Sequence, residues 1–174
     1  MREWWLRTLL VLAAPRAVFV ALRDQSEQSL EDRAEPVLAI VLLAGIAFAL
    51  ASTAERDYGG LDLAVWAFLV GGLIGVANYW LIGAVLYGWS RVLGSLGSYR
   101  RARHVLAFAC VPVVLSLVAI PAGRHAYTWI AVAFAVWSAG LLVVGVRAVH
   151  GWTWPRALAA ALPVLLVAGA LLAL

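Results

Sequence analysis

The chain has no lysine, a single cysteine and, in the 112 positions after Asp62, no acidic residue at all. Each shortage excludes something. Cys110 has no second cysteine to pair with and no neighbouring ligand for a metal, so it reads as a small packing residue. Apolar runs without carboxylates leave no intramembrane proton relay. Charge is scarce overall: 13% of the residues are charged and 65% are apolar, against about 25% and about 45–50% in soluble globular chains. Such a composition cannot cover a water-facing surface, whereas lipid removes the need. The formal net charge of +4 comes from 13 arginines that sit at the edges of apolar runs. Orientation in a bilayer explains that placement; a nucleic-acid partner does not, because no basic stripe crosses a soluble face.

Long apolar runs are what the chain does have. A helix needs about 20 apolar residues to cross the hydrocarbon core. Five runs reach or approach that length: 36–54, with Pro36 at the permissive first turn, 61–90, long enough to tilt, 105–122, 126–146 and 157–174. The expected fold class is therefore all-α, a polytopic integral membrane protein. A five-helix membrane domain over 36–174 follows an N-terminal segment, 1–35. Within that segment, 4–14 and 17–22 are too short to span and are separated by Pro15. They read as interfacial helices with Trp4, Trp5, Phe19 and Leu22 dipping inward. A processed signal segment is the competing reading, given Ala13 and Ala14. Residues 24–35 read as a charged linker, either a short solvated helix or a loop.

Orientation follows from the arginines. Arg2, Arg7, Arg16, Arg23 and Arg33 precede the first span, Arg91, Arg100, Arg101 and Arg103 lie between spans two and three, and Arg147 and Arg156 between four and five. These share one side; only Arg56 and Arg124 fall on the other. Positive residues concentrate in the cytoplasm, so the N-terminus is expected inside, Leu174 outside and the chain in the cell membrane. Tyr58, Trp66, Tyr127 and Trp129 then mark the outer boundary, and Tyr87, Trp89, Tyr99, Trp152 and Trp154 the inner one. Trp80 and Trp137 fall in mid-span.

Residues that could run a reaction do not converge. Asp62 sits at the mouth of span two, where a helix N-terminus favours it. His104 and His150 are on one side and His125 on the other. No nucleophile elbow, Walker loop or two-histidine zinc helix occurs, so neither an enzyme nor a cofactor is expected, and no metal site. The polar residues inside spans are Asn78, Ser116 and Ser138. Asn78 is the costliest to leave unpaired and is expected to hydrogen-bond across helices or, alternatively, to face a substrate. Gly71 and Gly75 form a small-xxx-small face on span two, and Ala131, Ala135 and Ala139 another on span four. Such faces serve either internal packing or a seam between copies. Pro112 in span three and Pro163 in span five each interrupt the helical hydrogen bonding, and Pro112 is expected to kink its helix and free the carbonyl of Phe108.

The stretch from Tyr87 to Pro112 carries a resemblance. Its glycine-containing loop (Gly94, Gly97) ends in the aromatic Tyr99, and the next span has Phe108 four residues before Pro112. This resembles the second-to-third-span connection of the Yip family, the Ypt/Rab-interacting membrane proteins and their prokaryotic relatives. Pro15–Leu22 and Trp137–Leu158, through His150-Gly151 and Arg156-Ala157-Leu158, are similar to the family too. The Asp-Leu-aromatic-Gly-Pro motif of eukaryotic members is absent, with only Glu35-Pro36 in its place. What the resemblance implies for a bacterial-type member is five membrane helices and a non-enzymatic role in membrane organisation or trafficking, without GTPase binding carried over.

Two functional expectations follow. In the first the chain is a non-catalytic scaffold or adaptor, and Arg91, Arg100, Arg101 and Arg103 contact anionic lipid heads or a membrane-protein partner. The same charges serve simple topology determination equally well. In the second it is a small oligomeric transporter or channel subunit, with the glycine face and Asn78 along the path.

Overall fold

Helix-forming apolar sequence punctuated by proline and glycine gives the elements of the computed structural model, which describes residues 2–52 and 60–173. They are α1 (Arg2–Ala13), α2 (Pro15–Ala21), α3 (Glu27–Ser52), α4 (Gly60–Trp66), α5 (Gly72–Val92), α6 (Tyr99–Ala109), α7 (Val111–Leu115), α8 (Arg124–His150) and α9 (Trp154–Ala173). A π turn, Ala67–Gly71, joins α4 to α5, and a 3-10 segment, Ser116–Ala122, follows α7. No strand occurs among the described residues. Four helical stretches are long and apolar enough to cross a membrane, Glu27–Ala51, Ala64–Val92, Tyr99–Pro121 and His125–His150, and Trp154–Ala170 is a shorter fifth. The architecture is thus an all-α polytopic membrane protein. Its outer surface agrees: Leu73, Leu81, Val118, Val136 and Leu166 are each more than 60% exposed, a surface that lipid solvates and water does not.

Several boundaries differ from the sequence expectation. The helix that carries span one begins at Glu27, so most of the charged stretch is helical and continuous with the apolar run in α3. Pro36 therefore lies inside that helix and not at its first turn; lacking an N–H, it removes one helical hydrogen bond there. Ser26 caps the helix instead, its hydroxyl accepting the Ser29 N–H at 3.3 Å, while the Asp24 carboxylate accepts the Ser26 N–H at 2.9 Å. That bond, with the Ser26 hydroxyl and the charge of Arg33, holds the Asp24 carboxyl below the usual aspartate range. Span three begins at Tyr99, where Ser98 caps the helix by accepting the Arg101 N–H at 3.1 Å. It breaks at Cys110, two residues before Pro112, and capping N–H groups reach the carbonyls of Leu106, Ala107 and Phe108. Arg56 and Tyr58 lie outside the described residues.

The N-terminal helices are more deeply engaged than helices merely resting on a leaflet. Trp4, Val11, Phe19 and Leu22 are all at most 4% exposed, while Trp5 stays outside at 39%. Trp4 packs on Phe108 with ring centroids 5.7 Å apart. Amphipathicity drives this: the opposite face of α1 offers Leu6, Leu9 and Leu10 to lipid.

Span two packs on span one through glycine. A Cβ on Gly71 would come within 2.7 Å of the Ala49 methyl, and one on Gly75 within 2.6 Å of the Val41 carbonyl oxygen. Gly45 faces both, and a Cβ there would overlap the Gly71 carbonyl oxygen and stand 2.8 Å from the Gly75 Cα. The small-residue face of span two is thus filled by α3 of the same chain, with backbone against backbone.

Candidate functional site

The arginine-rich end of the bundle gathers most of the polar chemistry. Helix α5 ends in a Schellman turn: the Gly94 N–H bonds the Arg91 carbonyl and the Ser95 N–H the Ser90 carbonyl, both at 2.9 Å. Gly94 takes φ +84°, a conformation that only glycine adopts without strain. The connection that follows, 93–98, is then fastened from several directions. Arg156 on α9 donates to the Leu93 carbonyl, its Nε at 3.1 Å. The Ser95 hydroxyl meets Nδ1 of His150 at 3.2 Å and accepts the Gly97 N–H at 3.0 Å. His150 is itself stacked on Trp152, centroids 4.4 Å apart. The Ser98 hydroxyl donates to Gln25 at 2.9 Å, and Arg101 donates to the Arg23 carbonyl at 3.1 Å. Arg23 in turn donates from Nε to the Ala148 carbonyl at 3.1 Å. Each guanidinium terminates a helix or loop whose carbonyls have no helical partner.

Out of this fastened loop one apolar side chain projects. Leu96 is 94% exposed, beside Val92 at 74%. Arg91 and Arg100 are exposed on either side of it, and Arg91 lies over the Tyr87 ring at 6.0 Å.

Arg103 has a different fate. It is 8% exposed, with its guanidinium 3.6 Å from the Trp80 ring centroid, 4.6 Å from Tyr99 and 5.1 Å from Tyr79. The Tyr99 hydroxyl closes the cage by donating to the Trp80 carbonyl at 2.7 Å. Gly83 makes room, since a Cβ there would overlap the Arg103 side chain. Trp80, in mid-span by sequence, thus has a cation on its face. Arg33 is fully buried too; it lies 5.5 Å from the Trp4 ring and donates to the Asp24 carbonyl at 3.0 Å. Apolar pattern alone did not reveal these two burials, because both arginines flank the runs that define the spans.

Beside the cage a cleft of about 540 Å³ opens between α3, α5 and α6. Glu27 and Glu31 line it from α3, Arg100, Arg103 and His104 from α6, and Tyr79 and Trp80 from α5. Its floor is apolar: Val37, Leu38, Val41 and Val76.

The remaining candidates are scattered. Asn78, half-buried on α5, makes no hydrogen bond to a described residue. Ser116 donates to the Val113 carbonyl three residues back, in α7, at 2.7 Å, and the Ser138 hydroxyl is buried without a partner among the described residues. Asp62 is exposed at the start of α4. His125 accepts the Trp129 indole N–H, from its own helix, at 3.3 Å. An interhelical hydrogen bond near the start of α8 comes from elsewhere, the Tyr127 hydroxyl donating to the Ala47 carbonyl at 3.0 Å.

Comparison with known proteins adds one match. No curated protein and no solved structure matches the chain. The family model of the Yip1 domain matches residues 9–174. That range takes in the buried α2, the fastened loop, the arginine cage and all the apolar helices, and the chain belongs to the Yip1 domain family.

Proposed function

We propose that this protein is a non-catalytic adaptor of the cell membrane, its arginine-rich end in the cytoplasm, and that it presents the 93–98 loop to a protein partner. Membership of the Yip1 family supports a role in membrane organisation. The single observation that carries the adaptor reading is the loop itself. Leu96 stands 94% exposed at the tip of a segment held by contacts to Arg156, His150, Gln25 and the Arg101 N–H. Loops usually lose entropy on binding, and one that is already fixed avoids most of that loss. An apolar knob with arginines beside it has the make-up of a small interface core with a polar rim.

The test is photo-crosslinking in cells from a probe at Leu96 and another at Arg100, followed by identification of the adducts. A discrete protein adduct from both positions, lost when the second site carries Leu96→Asp, is the expected result. Labelling of lipid or of the chain alone would refute the adaptor reading.

A second reading, a small oligomeric transporter, draws on Asn78, whose mid-span carboxamide lacks a partner among the described residues. Flux through reconstituted vesicles that disappears in Asn78→Leu would favour it.

A further inference from the structure

The cleft between α3, α5 and α6 has a feature that simple topology does not explain. Glu27 and Glu31 line it from α3 and Arg100 and Arg103 from α6, yet neither glutamate comes within ion-pair distance of either arginine. The cleft thus carries carboxylates from one helix and guanidiniums from another that are not paired with each other. Arg103 donates no hydrogen bond to a described residue, and its Nε and the Nδ1 of His104 are buried without a partner. A guanidinium shielded from water on several sides binds a phosphate or carboxylate more strongly than an exposed one does. The contacts of Arg103 are with the Trp80 and Tyr99 rings, at 3.6 and 4.6 Å, which leave its N–H groups without an acceptor among the described residues.

The rest of the cleft describes the ligand further. Its floor of Val37, Leu38, Val41 and Val76 is apolar, and Leu38 and Trp80 are each at least 50% exposed, so the cleft opens sideways onto the lipid-facing surface. An occupant must therefore carry a negative group, a positive group and hydrocarbon, in that arrangement. We propose that this cleft binds a zwitterionic phospholipid with a primary ammonium, its phosphate on Arg100 and Arg103, its ammonium on Glu27 and Glu31, and its first acyl carbons along Val37, Leu38 and Val41. A purely anionic lipid satisfies the arginines but meets repulsion from the two carboxylates. Arg103 sits at the back of the site and Glu27, Glu31 and Arg100 at its exposed rim, so the rim can be altered without disturbing the packed cage. The site is independent of the adaptor reading, since it lies off the 93–98 loop and its test uses no protein partner.

The experiment is native mass spectrometry of the full chain, purified in detergent and titrated with phosphatidylethanolamine or phosphatidylglycerol of the same chains. One phosphatidylethanolamine per chain is expected, bound about tenfold more tightly than phosphatidylglycerol, equivalent to about 1.4 kcal/mol. In Glu27→Gln/Glu31→Gln the preference should vanish while phosphatidylglycerol binding holds or improves. In Arg100→Gln both lipids should weaken. Equal binding of the two lipids by the unmodified chain would overturn the proposal, as would a preference that survives the double glutamine variant. Soluble glycerophosphoethanolamine competing as well as the intact lipid would overturn the acyl part and indicate a water-soluble ligand.

Discussion

At Arg103 three aromatic rings hold one cation, and the arrangement depends on the shape of the guanidinium. A planar, delocalised cation stacks on Trp80 at 3.6 Å while Tyr99 and Tyr79 flank it; an ammonium is a hydrated point charge that cannot stack. Arg103→Lys should therefore destabilise the protein by about 1–2 kcal/mol, the scale of a desolvated cation–π contact, and read as a lower midpoint in thermal unfolding in detergent. An unchanged midpoint would mean that the rings contribute nothing beyond packing. Asn78 makes the opposite case. Its carboxamide bonds no described residue, so Asn78→Leu should leave the stability of the monomer within about 0.5 kcal/mol. Tyr127→Phe, which removes the bond to Ala47, should cost about 0.6–1.7 kcal/mol, as interhelical hydrogen bonds do in lipid. Residue chemistry of this kind was only partly legible in the sequence. Arg100 and Arg103 could be picked out by charge, but nothing in a linear pattern separates the exposed one from the buried one. That distinction depends on Gly83 and Trp80, which arrive from another helix.

At the level of the element, the decisive contact is α3 against α5. The spacing of Gly71 and Gly75 announced a close-packing face, because two small residues one turn apart leave a continuous groove. The residue that fills the groove, Gly45, is a lone glycine whose small partner one turn on is Ala49, a pair less conspicuous in an Ala-rich span. Gly45→Ala should nevertheless be the most damaging of the small substitutions, since its methyl would overlap the Gly71 backbone, which cannot swing aside as a side chain can. Overpacking of this kind costs about 1–3 kcal/mol. Gly88→Ala on α5 meets nothing within 4 Å and should be neutral or stabilising by up to about 1 kcal/mol, from helix propensity. Fluorescence-detected size-exclusion profiles after heating would rank the two, and equal losses would show that α3 and α5 do not meet at Gly45. The continuity of α3 through its charged start is hidden from the sequence for a related reason. Hydropathy sees the charged residues 27–35 as distinct from the apolar run, whereas the backbone continues through them and through Pro36 as one helix.

Across the whole molecule, apolar runs and arginine placement together dictate how many helices there are and which ends meet. The number of spans was legible because about 20 apolar residues are a long, redundant signal. The burial of α1 and α2 was not, since short amphipathic stretches look alike whether they lie on lipid or wedge into a bundle. Orientation is the property left for measurement, and the fold supplies positions for it. Leu96 projects from the arginine-rich end, and His125 is exposed at the beginning of α8, which runs from the opposite end to His150 at the arginine-rich end. In a Cys110→Ala background, Leu96→Cys and His125→Cys should react with a membrane-impermeant maleimide in complementary ways. His125→Cys should label in intact cells and Leu96→Cys only after permeabilisation, because the arginines retain their end in the cytoplasm. The reverse pattern would place the lipid cleft and the 93–98 loop outside. Partners would then have to be sought among extracytoplasmic proteins, and the arginines would owe their placement to the carbonyls and rings they hold.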